Sequence, residues 1–367
     1  MTSKIVVNNI ESDTGISTIT VGSDIQIQGS LVGNINSTGI STVATLNATN
    51  ANIGSINGGP LAGTRNRIIN GDMRISQRGT TFAAITDTTY SLDRYRATFS
   101  GVSSVVTISQ ESDVPTIAGF YNSLRISVTT ADTSIGASER CQLAQIVEGY
   151  NISDFVGQTF TISFWVRSSK IGVHCLNLAN SGDDRSYVAE YNVNVANTWE
   201  YKTITVDGGL PSSGTWNFTT GRGLWVMWTL AAGANFYTTP NVWQTSVFRS
   251  TANQVNCLDT VGNIFAITGV QLEAGTVATP FERRSFGQEL ALCQRYFLSA
   301  TTSATLNNNG TTANISYVGN FPVTMRATPT IAGVTASFTT VNNFTAFANT
   351  AGLSWAGNLA FTAAIEL

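Results

Sequence analysis

Seven tryptophans, Trp165, Trp199, Trp216, Trp225, Trp228, Trp243 and Trp355, are the side chains of this 367-residue chain best suited to holding another molecule. An indole face stacks on the C–H face of a pyranose ring, while nearby amides and carboxylates bond the sugar hydroxyls. Most tryptophans of a β-rich chain serve packing. Trp216 in "SSGTWNFTTG" and Trp243 in "TPNVWQTS" stand between turn signals, which makes them the two candidate glycan contacts.

Other chemistries find less material. The one histidine, His174, lies in "IGVHCLNL", where neighbouring residues of a strand point to opposite faces, so Cys175 cannot be its partner. Glycan cleavage needs two facing carboxylates. Asp183, Asp184, Glu273 and Glu282 are available, but no spacing brings two of them to one cleft, and "SGDDRS" reads as an exposed turn. Cys141, Cys175, Cys257 and Cys293 are far apart, without a C-x-x-C pair, and read as free buried thiols. The Gly-rich pieces "GGPLAG" and "TTGRGLW" lack the Lys-Ser/Thr of a phosphate loop and read as turns. No dense D-x-D pattern marks a calcium site. We therefore assign no catalytic residue, no cofactor and no metal ligand.

Composition narrows the field further. Charged residues make up 11% of the chain and apolar residues 42%, so a real core is available beneath an uncharged polar surface. With a net charge of −3 and three lysines (Lys4, Lys170, Lys202), there is no basic stripe for nucleic acid. The N-terminus lacks a signal-peptide core, and no apolar run of 18 residues occurs. Synthesis in a cytoplasm without membrane insertion is expected.

The elements that must position these residues fall into four stretches. Residues 1–64 carry two "TGIST" copies that start 24 residues apart, and alternating runs such as "ISTITV" and "IQIQ". No aromatic occurs before Phe82, so this stretch has too little bulk for its own core and is expected to wind with copies of itself as a β-repeat shaft. Residues 65–284 bring aromatics and arginines in short alternating runs, the pattern of a β-sandwich or jelly roll. In "FTISFWVRSS", Phe160, Ile162, Phe164 and Val166 share one face and Trp165 and Arg167 the other. "GLWVMWTL" is apolar on both faces and predicts a central strand covered on both sides. Residues 285–298 predict the one helix. Ser285 and Gln288 have capping-box spacing, and Phe286, Leu290, Cys293 and Phe297 form an apolar stripe, which we take as candidate trimer contacts. Residues 299–367 return to strands and predict a small C-terminal β domain.

Five segments resemble one family. "NRIINGDMRISQRGTT", "YSLDRYRA", "ISFWVRSS", "GVQLEAGTVATPFERRSFGQELALCQRYF" and "FPVTMRATPTI" are similar to bacteriophage and prophage tail-fibre proteins that join a carbohydrate-binding-module-like jelly roll to a short helix and a C-terminal β domain. The TGIST repeats resemble those of phages infecting marine cyanobacteria. The resemblance implies a non-enzymatic homotrimeric virion component engaged in host attachment. Its implied partners are itself, other tail, baseplate or capsid proteins, and host cell-surface polysaccharide. Two alternatives stay open: a polysaccharide-degrading tailspike-type enzyme, and a capsid-decorating head fibre without a specific receptor.

Overall fold

The computed structural model describes residues 64–116, 119–306, 313–332, 336–350 and 355–367, all within the compact unit Ile53–Leu367. The repeat shaft expected over residues 1–64 lies, apart from Thr64, outside the described residues.

The chain is mostly β. Strands β1 (Thr81–Ile85), β4 (Val105–Glu111), β5 (Ser123–Thr130), β7 (Phe160–Ser168), β10 (Glu200–Val206) and β13 (Ile264–Ala274) form a six-stranded sheet in the order β1-β4-β5-β13-β7-β10. Strands β2 (Thr89–Tyr90), β3 (Tyr95–Ser100), β6 (Arg140–Glu148), β8 (Gly172–Ala179), β9 (Ser186–Val193), β11 (Arg222–Ala232) and β12 (Trp243–Gln244) form a seven-stranded sheet in the order β12-β9-β8-β11-β6-β3-β2. The two sheets share one apolar core, which makes a sandwich in agreement with the jelly roll expected from the sequence.

Period-two patterning explains the core. Phe160, Ile162, Phe164 and Val166 of β7 are all fully buried, as the alternation predicts. They meet Leu224, Val226 and Trp228 of β11, and Phe164 packs edge-on to Trp228 with centroids 5.6 Å apart. Removing the Phe164 ring would cost about 3–5 kcal/mol. β11 is the middle strand of its sheet, and its other face is covered as well: Trp225 and Met227 join Ala144, Ile146 and Leu367 in a second cluster.

Beyond the sandwich, helix α1 (Phe286–Gln294) starts at Ser285, whose side chain accepts from the Gln288 N–H while Gln288 closes the capping box in return. The helix is shorter than the sequence pattern suggests. Phe297 is not on it: the chain leaves the helix at Arg295, and Phe297 opens strand β14 (Phe297–Leu306). The apolar spacing continued past the point where tertiary pairing with β19 (Trp355–Ala364) takes over.

β19 pairs with β14 on one side and β16 (Thr330–Ala332) on the other, while β15 (Ala313–Asn320), β18 (Asn343–Thr350) and β17 (Ala336–Thr339) form another three-stranded sheet. Leu298, Phe321, Met325, Phe344, Phe361 and Ala363 make the core of this C-terminal part. Its last residues return to the sandwich. Glu366 pairs with Arg94 (2.5 Å) and Arg78 (2.8 Å), and the Tyr90 hydroxyl donates to the Leu367 carbonyl.

The segments that carry the family resemblance interlock here. Asn66 donates through Nδ2 to the Val270 carbonyl and accepts at Oδ1 from the Leu272 N–H. The Asn70 N–H donates to Glu289 of the helix, whose carboxylate also receives Arg284. These buried polar residues therefore knit the start of the sandwich, its β13 strand and the helix into one junction.

Candidate functional site

Two aromatic clefts open on the sandwich, and the sequence had singled out only one side chain lining either of them. The first lies where β10, the edge of the six-stranded sheet, comes beside β9 and the short edge strand β12. It encloses about 600 Å³ and is lined by Tyr187, Glu190, Thr203, Thr205, Asp207, Asn241 and Trp243, among others. Trp243 forms strand β12 rather than a free turn, pairing with Tyr187 of β9, and the two rings tilt together at 5.5 Å. Its indole N–H donates to the Gly209 carbonyl at 2.9 Å, which fixes the ring plane.

Trp216 does not line this cleft but supports it. It meets Trp243 edge to face at 5.8 Å, lies parallel to Phe218 at 6.5 Å, and donates its N–H to the Ser213 carbonyl. Both tryptophans are half-buried against the core rather than free. Polar groups complete the wall. Glu190 accepts at Oε1 from the Thr251 hydroxyl and from Asn253 Nδ2. Asp207 is exposed, and its charge, after burial, pushes the Tyr187 hydroxyl pKa upward. Sequence reading missed both carboxylates, because β9 and β10 come together only through the fold.

The second cleft, about 470 Å³, lies on the outer face of the six-stranded sheet. Trp165 and Tyr201 stand directly opposite each other on β7 and β10, with centroids 5.3 Å apart. Phe120 and Phe281 close the other side edge to face at 5.3 Å, and the Arg283 guanidinium lies 4.7 Å from the Phe120 ring centre. Gly269 makes the approach possible. It sits at a break in the β13–β7 register with φ +62°, and a Cβ there would come within 2.7 Å of Phe120.

The loop that carries Phe281 is held by two buried residues of β13. Glu273 accepts from the Thr279 N–H and hydroxyl, and Gln271 accepts from the Glu282 N–H at 2.7 Å. Glu273 and Glu282 are thus committed to structure, Glu282 also receiving the Asn66 N–H. Asp183 pairs with Arg222, and Asp184 caps its turn by accepting from Thr215 and Asn180.

His174 is fully buried, with its ring between Tyr191 (5.6 Å) and Phe265 (6.1 Å) and its Nε2 on the Lys170 carbonyl. Its near sulfur is Cys257, 3.7 Å from Nδ1, a neighbour that the sequence did not reveal. Burial lowers the His174 pKa and pushes the Cys257 thiol up to about 12. The pair therefore stays neutral, without the thiolate that nucleophilic chemistry requires. All four cysteines are buried and unpaired. Among the described residues no three His, Cys, Asp or Glu side chains gather as a metal ion would need, and no helix is long and apolar enough to cross a membrane.

No protein-family model and no curated protein matches this chain. Solved structures similar to it include the enzymatically active domain of bacteriophage CBA120 tailspike protein 4, at 18% identity and TM-score 0.30 over 57% of this chain. The match spans 21% of that tailspike domain's chain. TmCBM61 in complex with β-1,4-galactotriose is similar at 11% identity and TM-score 0.30, over 57% of this chain and 99% of that one. The family 11 carbohydrate-binding module from Clostridium thermocellum is similar at 11% identity and TM-score 0.30, over 55% and 99%.

Proposed function

We propose that this chain is a structural component of a phage virion that attaches to host cell-surface glycan, acting as a homotrimeric fibre. The observation that carries the glycan reading is the Trp243–Tyr187 cleft, where tilted aromatic rings stand beside carboxylate, amide and hydroxyl groups. That combination offers both halves of pyranose recognition, a stacking face and hydrogen-bonding partners. The Trp165–Tyr201 cleft supplies a second stacking surface. Weak single sites become firm attachment when three chains per fibre, and several fibres per particle, present them together. The virion and trimer parts of this reading rest on the sequence resemblance.

Cleavage of the glycan is the competing reading, because Glu190 and Asp207 line one cleft. Glu190 is already engaged by Thr251 and Asn253, which favours binding alone. Purified full-length protein incubated with a panel of bacterial surface polysaccharides should retain them without releasing oligosaccharide. Release that stops in Glu190→Gln or Asp207→Asn would replace adhesion by hydrolysis. Absence of retention across the panel, at micromolar protein, would remove the glycan reading.

A further inference from the structure

Residues 245–256 cross the outer face of the seven-stranded sheet and carry Arg249 into it. The Arg249 carbonyl accepts from the Thr229 hydroxyl (2.6 Å) and from Asn177 Nδ2 (3.2 Å), and its N–H donates to the Phe236 carbonyl (2.9 Å). The backbone is therefore pinned to β11 and β8, and the residue is only 6% exposed. Its guanidinium is nevertheless unfinished. Nε and Nη1 have no hydrogen-bond partner, and the carboxylate paired with it among the described residues, Asp183, stands 3.6 Å from Nη2, beyond a real hydrogen bond. Asp183 is already taken by Arg222 at 2.8 Å.

More positive charge gathers at the same place. Arg140, half-buried over the Phe236 ring, and Arg222 both act on Arg249; burial first, and then their fields, lower its pKa to about 10. Arg222 and Arg249 thus share one carboxylate, and the charge of Arg140 adds to theirs. Buried donors are nearly always satisfied, and a buried guanidinium without partners is among the costliest groups to keep. Arginine's fork of N–H donors matches a two-oxygen anion in geometry as well as in charge. Asp183, in the β8–β9 turn with its side chain 43% exposed, is placed to compete with such an anion and to give way to it.

We infer that Arg249, flanked by Arg140 and Arg222, forms an anion-binding site for a carboxylate or tetrahedral oxyanion, distinct from the two aromatic clefts. The anion is either the carboxylate of an acidic sugar or a free oxyanion, and the two sources share this chemistry. Isothermal titration of the full chain with glucuronate, inorganic phosphate and glucose separates them. Binding of glucuronate alone assigns an acidic sugar, and binding of phosphate assigns an oxyanion. Glucose, lacking charge, should not bind at this site. Arg140→Gln should weaken the anion about tenfold, the loss of one charge-assisted contact. Arg249→Gln should remove binding, and Asp183→Asn should strengthen it by removing the competitor.

Because Arg249→Gln touches the core, the half-exposed Arg140 and the exposed Asp183 carry the test if that variant misfolds. Failure of both anions to bind either the natural chain or Asp183→Asn overturns the inference. So does binding that Arg140→Gln and Asp183→Asn leave unchanged. Glucose binding that Arg140→Gln weakens as much as it weakens glucuronate overturns it as well, since a charge-blind site needs no arginine.

Discussion

Trp216 and Trp243, the two tryptophans that sequence context set apart from the rest, meet edge to face with ring centroids 5.8 Å apart. Their roles differ: Trp243 lines a cleft and Trp216 buttresses it. Trp243→Ala should therefore reduce retention on the bound polysaccharide by about tenfold or more, as loss of a stacking platform costs on the order of 1–2 kcal/mol. Trp216→Ala should reduce it less and lower the melting temperature instead. Affinity electrophoresis beside thermal melts checks the split; equal binding losses for both would show that the cleft needs the pair as a unit.

The difference between what was and was not legible beforehand follows from sequence distance. β7 was readable because Phe160, Ile162, Phe164 and Val166 fall on every second residue, even though Thr161 and Ser163 between them are buried as well. β11 was readable because a two-sided apolar run has one comfortable place, the middle of a covered sheet. Trp165 was correctly set on the outer face, yet its cleft was invisible. Its companions Phe120, Tyr201 and Phe281 come from three other segments and meet only after the strands are ordered. Cys257 beside His174, and Glu190 beside Asp207, were hidden for the same reason. The helical stripe misled at its end, because periodicity cannot see the pairing of β14 with β19 that claims Phe297.

His174 predicts a pH dependence. Its folded pKa lies below the ordinary value near 6.5, chiefly through burial, so the unfolded chain binds the proton more readily than the folded one. Stability from this residue is full above the unfolded pKa and is lost as pH falls through it toward the folded value. His174→Phe, which keeps a ring between Tyr191 and Phe265, should show a smaller fall in melting temperature between pH 7 and pH 5 than the natural chain. Identical pH profiles would mean that His174 is already exposed to protons in the folded state. Retention on glycan should be unaffected at pH 7.

Glu366 predicts a coupling between the C-terminal part and the sandwich. It neutralises Arg94, 1% exposed in its side chain, and Arg78 together. Glu366→Gln keeps the shape but strands two guanidiniums, one of them deeply buried, and should cost about 3 kcal/mol or more. Arg78→Gln, which leaves the Arg94 pair intact, should cost less. Differential scanning calorimetry checks both values. If Glu366→Gln melts like the natural chain, the pair is not what holds the last residues to the sandwich.

The helix offers the proposed trimer a contact that can be tested. Leu290 and Cys293 pack with Ile69, Ile75, Tyr296 and Leu367 of the same chain, whereas Phe286 stands 57% exposed at the helix start. The stripe expected to serve one purpose is thus divided, with its middle consumed by the junction and its first residue left outside. Leu290→Asp should therefore lower the melting temperature of the single chain, since it puts a charge into a packed cluster at a cost on the order of several kcal/mol. Phe286→Asp should leave that melt nearly unchanged, because an exposed ring contributes little to its own fold. If three helices meet through Phe286, the same substitution brings three carboxylates together and should drive the trimer to a folded monomer by light scattering. If Phe286→Asp leaves the mass trimeric, the three-fold contacts do not run through the helix.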